Sequence, residues 1–318
     1  MKAPKRSKHL FADMLFINST AVTAFLVLLV MSGMIVMLAW NSRVALRTFG
    51  LSFFTSSDWN PAMSTFGALS SIYGTLVSTF IALVIAVPMS VVIALFLVEF
   101  APKSISTFVG GAIELLAAVP SIIYGMWGMF VLAPLMSEHV QPFLADTVKL
   151  ASMPVIGRLF EGPPMGIGML TAGMILAVMV LPYISMVMRD VFMMVPSVIK
   201  ESAYGMGSTT WEVTHRITLR YGIQGIVGAV FLGLGRAIGE TMAVTFVIGN
   251  AHNISASLFA PGSSIASTIA NEFGEAVEPV YMHSLILLGL TLLVMTLMIQ
   301  ICAQLWMKYI KKKMGAGL

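Results

Sequence analysis

The sequence predicts an all-α integral membrane protein with six transmembrane helices, and three observations predict it. Of 318 residues, 58% are hydrophobic and only 10% are charged, too few charges to cover the surface of a soluble protein. Six apolar runs reach the roughly 20 residues that a spanning helix needs: 15–40, 67–98, 108–135, 166–188, 223–249 and 283–307. The connections between them contain no soluble domain and no low-complexity tract. The net charge of +4 resides in segments flanking the membrane, without the basic and aromatic face that binds nucleic acid. Cys302 is the single cysteine and lies in an apolar run, which excludes an internal disulfide and a cysteine-based zinc site.

The first run follows Lys2, Lys5, Arg6 and Lys8, as the apolar core of a signal peptide would. It is too long for that role and no small-x-small cleavage site follows, so it is read as a retained span. The second and third runs are long enough to tilt or to extend beyond the bilayer as helix. Segment 41–66 is a polar outer loop. Segment 136–165 carries Pro142, Pro154, Pro163 and Pro164 and is an irregular external cap. Segment 250–282, with Glu272, Glu275 and Glu278, is external as well. Orientation follows from Lys and Arg. With the N-terminus inside, thirteen lie in cytoplasmic segments: four in the N-terminal tail, Lys103, Arg189, Lys200, Arg216, Arg220, Lys308, Lys311, Lys312 and Lys313. Four lie outside: Arg43, Arg47, Lys149 and Arg158. Both termini are therefore cytoplasmic. The chain divides into residues 1–66 (tail, first span, outer loop), a transmembrane domain over 67–310, and a cytoplasmic tail over 311–318.

The cytoplasmic connection, about 189–222, is built rather than floppy. Pro196 starts a short helix over 197–204, and Gly205 and Gly207 break it. Thr209-Thr210-Trp211-Glu212 has capping-box spacing for a second helix running toward Leu219. Such a helix–Gly turn–helix can plug into a groove on a soluble partner and transmit a push to the adjoining spans. The pattern alone equally fits an amphipathic interfacial pair that merely ends two spans.

Arg236 lies midway along the run 223–249, with Glu240 four residues later on the same predicted helix face. A charge at the centre of a span costs at least ~2.5–3.5 kcal/mol on insertion scales, so it must face a partner or a watery cavity. One reading is mutual neutralisation at i,i+4 spacing. The other is a transport pathway, because arginine's planar fork suits a tetrahedral oxyanion and Glu240 can orient that fork. Two apolar residues would have been cheaper than structural glue, which favours the pathway. Thr241 and Thr245 can donate to a passing oxyanion, although Thr in a span commonly bonds its own helix. Glu114, in the third run, pairs with Arg236, serves the pathway, or makes a structural interhelical contact. Gly235 and Gly239 form a small-xxx-small packing pair, and Tyr124 and Trp127 are belt or packing residues. His139, His252 and His283 lie outside without metal-ligand spacing. No Gly-Lys dipeptide occurs, so the chain holds no phosphate-binding Walker loop.

The run Glu201-Ser202-Ala203, then Gly207, then Ile217 and Leu219, resembles the coupling loop of ABC importer permeases. In that family Glu-Ala-Ala is followed after three residues by Gly and later by Ile-x-Leu-Pro, and the loop docks into an ATPase subunit. Ser202 is a small-for-small change. Thr214 stands where an aromatic is usual and Arg220 where Pro is usual, which bears on how the second helix ends. Segments 120–128 (Pro-Ser-Ile-Ile-Tyr-Gly-Met-Trp-Gly), 188–192 (Met-Arg-Asp-Val-Phe) and 233–246 are similar to the PstC family of permease subunits of bacterial phosphate importers. The continuation Met242-Ala243-Val244-Thr245-Phe246 distinguishes that family from the related PstA subunits.

The resemblance implies a type I (MetI-like) ABC importer permease fold in the bacterial inner membrane. It implies a heterodimer with a PstA-like permease, two PstB-like ATPase subunits that bind ATP and Mg, and a PstS-like periplasmic phosphate-binding protein. No cofactor and no catalytic residue is expected in this chain. The pathway residues are then Arg236, Glu240, Thr241, Thr245 and Glu114, and the ATPase-coupling residues Glu201, Ser202, Ala203 and Gly207. A secondary transporter would show internal repeats and broken helices and leaves the Glu201 loop unexplained. An intramembrane enzyme lacks a catalytic set. Arg236 argues for an anion, and sulfate or molybdate would satisfy the same physics. Phosphate comes from the resemblance.

Overall fold

The computed structural model describes residues 6–147 and 157–315, with side chains over 13–145 and 157–309. Lys2, Lys5, Lys149 and Pro154, used in the charge and loop readings, lie outside the described residues. The first helix, α1 (Arg6–Phe49), is apolar on every side, so it has no face that must turn inward, and side chains 13–37 are all exposed. It continues through 41–49, where a polar loop was expected. Asn41, Ser42 and Thr48 donate to carbonyls four residues back and so remain helical. Gly50, at φ +59°, ends it. The short α2 (Ser52–Thr55) leads to a hairpin of β1 (Trp59–Asn60) and β2 (Thr65–Phe66), closed by Asn60 Oδ1 accepting from the Ala62 and Met63 amides.

Helix α3 (Leu69–Leu95) ends in a π turn over Phe96–Phe100. Helices α4 (Lys103–Ala117) and α5 (Ser121–Trp127) meet at 90°, so the apolar run 108–135 is not one straight helix. Pro120 is the cause, since it lacks an N–H and bars helical backbone at Val119. The Tyr124 hydroxyl crosses the bend and donates at 2.9 Å to the Leu116 carbonyl, which also accepts from the Val119 amide at 3.2 Å. Helical structure then continues through π turns and α6 (Ala133–Leu135) to Thr147, so the first part of the expected irregular cap, including Pro142, is helical. There follow α7 (Met169–Met193), α8 (Ser197–Gly205), α9 (Thr210–Val213), α10 (Leu219–Ile238), α11 (Met242–Thr245), α12 (Ile265–Glu272) and α13 (Pro279–Gly315). A π turn over Thr214–Thr218 fuses α9 and α10 into one helix.

Contacts between helix ends count the crossings. Ser71, starting α3, bonds Ser263 and Thr268; Gly168, before α7, bonds Val247; Trp59 and Tyr281 both bond Glu272. These groups gather at one end of the bundle. At the other end Glu99, closing α3, meets Lys200 of α8 and Thr218 before α10. The α4–α6 stretch leaves this second end and α7 returns to it, so the bent pair makes one crossing. The described residues thus cross six times: α1, α3, α4–α6, α7, α9–α10 and α13.

Helix α7 is the centre of the bundle. The small face of α3 (Ser78, Ala82, Ala86) lies against it, and Ser90 donates to the Leu181 carbonyl at 3.1 Å. Gly222, Gly225 and Gly233 of α10 seat on Phe192, Val191 and Ile184, where a Cβ would collide. At the first end Glu272 accepts from Trp59 (2.6 Å) and Tyr281 (2.8 Å) and pairs with His252 (3.0 Å), whose ring stacks on Trp59. Burial opposes the charge on Glu272. Hydrogen bonds from His252, Tyr281 and Trp59 outweigh it and hold the carboxyl below the usual carboxylate range. His252 is therefore tied into a structural cluster rather than scattered. Among the described residues no group of His, Cys, Asp and Glu is placed to hold a metal.

Candidate functional site

Arg236 occupies the last turn of α10, whose helix stops at Ile238. Gly239, Glu240 and Thr241 lie outside any helix before α11 begins. Local chemistry favours the break. The Thr241 hydroxyl donates to the Gly239 carbonyl at 3.3 Å, and Glu240 Oε1 accepts from the Ala243 amide at 3.3 Å, both competing with helical bonding. The run 223–249 is thus two helices rather than one. Arg236 stands in the last turn of α10 and Glu240 in the break itself instead of on one helix face, and no ion pair joins them among the described residues.

The Arg236 guanidinium instead lies 5.4 Å from the centre of the Tyr183 ring on α7, and the residue is exposed. A ring face attracts the cation, and the carbonyl end of α10 adds a favourable dipole. Neither contact occupies the five guanidinium N–H donors, which stay available to an anion. Across the break α11 packs on α5. A Cβ at Gly125 would sit 2.7 Å from the Phe246 ring and 3.0 Å from the Met242 carbonyl. Beside that contact Ile122, Ile123 and Met126 of α5 and Met242 of α11 are exposed apolar side chains.

The other expected pathway residues distribute differently. Thr245 donates to the Thr241 carbonyl at 2.7 Å, so both hydroxyl protons of the Thr241–Thr245 pair are spent on nearby backbone. Glu114 does not meet Arg236. It pairs with Arg189 of α7 at 3.4 Å, and the Arg189 guanidinium packs against Gly110, where a Cβ would collide with it. Its role here is an interhelical contact between α4 and α7. Gly239 is exposed at the break and does not pack; only Gly235 does, against Gln300.

At the second end Pro196 starts α8, Gly207 turns the chain at φ +87°, and Thr209 and Glu212 form the expected capping box. Glu201, Ser202 and Gly207 are exposed, together with Met206 and Trp211, whereas Ala203 is buried at 4% exposure and packs within the chain. The second helix does not lie apart as a surface helix. It runs straight into the fifth span because Arg220 keeps the N–H that proline would remove. Sequence reasoning missed Glu99, which takes Lys200 at 2.6 Å and Thr218 at 2.7 Å. Its only signal was a lone acid closing an apolar run.

Residues 62–316 match the family described as binding-protein-dependent transport system inner membrane component. The chain belongs to that family. Relatives of this inner-membrane component include the phosphate transport system permease protein PstC of Xylella fastidiosa strain Temecula1, 52% identical over 93% of this chain and 90% of that one. PstC of Mesorhizobium japonicum is 52% identical over 96% and 92%, and PstC of Haemophilus influenzae 46% identical over 99% of both chains. Among solved structures, a bacterial alginate ABC transporter chain superposes with a TM-score of 0.59 over 98% of each chain at 16% identity. A chain of the MetNI methionine ABC transporter gives 0.52 over 79% of this chain and 99% of that one, also at 16% identity. The fold of this inner-membrane component is therefore that of the MetI-like ABC importer permeases. The family match begins in the hairpin, so α1 precedes it while Arg236 and the Gly207 turn fall inside.

Proposed function

We propose that the chain is the membrane-spanning permease subunit of an ATP-driven phosphate importer, and that it forms the translocation pathway with a second permease subunit. The observation that carries the reading is the 46–52% identity to phosphate permeases over nearly the whole chain. The geometry at Arg236 supports it. An exposed guanidinium with open donors, beside a helix break, suits a pathway wall completed by a second subunit. The anion exchanges water for the guanidinium's paired N–H groups, and Glu240 holds the break in shape by capping α11.

The exposed Glu201–Gly207 turn is the docking surface for a PstB-like ATPase, which supplies ATP hydrolysis. A PstA-like subunit covers the exposed apolar side chains of α5 and α11, and a PstS-like binding protein delivers phosphate at the hairpin end. The excess of Lys and Arg at the α8 end supports an orientation with that end, and both termini, in the cytoplasm.

Two measurements test this. The purified complex should contain a second permease and an ATPase, and should take up labelled phosphate but not sulfate in proteoliposomes. Sulfate uptake, or purification without an ATPase, would overturn the reading. With the exposed Cys302 changed to Ser, a cysteine at Lys308 should label only from the cytoplasm and one at Glu275 only from outside. Labelling of both from one side would remove the orientation.

A further inference from the structure

Helix α8 is held to the bundle by little apolar packing. Of its nine residues only Ala203 is buried. The chain enters α8 through Pro196 and leaves it through the exposed Gly207 turn, so α8 is a short element set off at both ends from the spans. What fastens it is polar. One oxygen, Glu99 Oε1, accepts from Lys200 Nζ on α8 at 2.6 Å and from the Thr218 hydroxyl at 2.7 Å. The two charged side chains are 6% and 16% exposed. Glu99 lies in the π turn that ends α3, and Thr218 closes the π turn that leads into α10. A single π turn inside a helix, as at Thr214–Thr218, recurs at functional positions. One carboxylate therefore joins three elements: the coupling helix, the second span and the fifth span, which carries Arg236.

A buried ion pair is a poor device for stability alone, because two apolar residues of similar volume usually serve as well. We infer that Glu99 is a positioning residue for energy coupling: its carboxylate locks α8 to the ends of α3 and α10, so that displacement of α8 by a docked partner moves both spans together. The inference rests on the reading of the chain as a permease driven by a separate ATPase.

The test uses the complete complex in proteoliposomes, with phosphate uptake and ATP hydrolysis measured on the same preparation. Glu99→Gln should assemble, hydrolyse ATP within about twofold of the parent, and lose about tenfold or more in phosphate moved per ATP. The paired change Glu99→Leu with Lys200→Met leaves no unpaired charge, so it keeps the fold even if the single variant does not. It cannot bind Thr218, and it should be equally uncoupled. A merely structural pair predicts normal phosphate per ATP in that double variant, and that result overturns the inference. So does a Glu99→Gln complex whose uptake falls only in proportion to the amount assembled. If the parent complex itself hydrolyses ATP without moving phosphate, the permease reading fails first and takes the inference with it.

Discussion

Arg236→Gln is expected to lower phosphate uptake by roughly 100-fold or more, the scale on which loss of one preorganised charged donor acts, while the complex still assembles. Glutamine keeps much of the volume and some hydrogen-bonding capacity, so the packing at Tyr183 loosens without collapsing. What disappears is the cation in the last turn of α10. Arg236→Lys separates charge from shape. It should retain a measurable fraction of uptake, because the ammonium still attracts the anion but lacks the planar fork. Glu240 gives the counter-test. It caps α11 and makes no ion pair with Arg236, so Glu240→Gln, which keeps an acceptor oxygen, should be mild, and the double Gln variant should be as inactive as Arg236→Gln. Substantial uptake in the double variant would return Arg236 to a structural role. Subunit co-purification in each variant separates lost transport from lost assembly.

Gly207→Val should uncouple the transporter while leaving insertion intact. No atom crowds position 207, so the damage is conformational: φ +87° suits glycine, and a β-branched residue there costs about 1–2 kcal/mol or distorts the turn. On the binding scale that is roughly a tenfold weakening of docking. Gly207→Asn should be milder, since Asn visits left-handed backbone more readily. A crosslink to the ATPase should form from a cysteine at Met206, which is 82% exposed, and not from one at the buried Ala203. Normal ATP-driven uptake by Gly207→Val would remove the turn from the coupling surface.

The spans were legible because lipid demands long apolar runs, and six runs correspond to six crossings. Their interruptions were not. Apolar residues continue on both sides of Gly239 and of Pro120, so hydropathy reads straight through a helix end and a right-angle bend. The Gly207 turn was legible because Pro196, Gly207 and the Thr209–Glu212 box act locally, each within a few residues of its effect. Arg236 was legible as a charge that needs a reason. Its neighbour was not, since Tyr183 comes from another helix, and Glu240 is carried away by a break that composition does not mark. Glu99 and Lys200 lie 101 positions apart, a separation that no local pattern bridges.

The placement of α10 also bears on how the chain is made. The helix Thr210–Ile238 is the least apolar of the five uninterrupted spans and carries Arg216, Arg220 and Arg236. Arg216 and Arg220 lie at the α8 end, but Arg236, midway along its apolar run, would add a penalty of about 2.5–3.5 kcal/mol on entering bare lipid. Synthesis, however, delivers α7 first. It presents Val191, Phe192 and Ile184 to receive the glycines of α10, and the Tyr183 ring to receive the guanidinium. The most polar span thus leaves the insertion machinery onto a waiting protein surface, and the order of helices along the chain becomes part of what makes a charged pathway buildable.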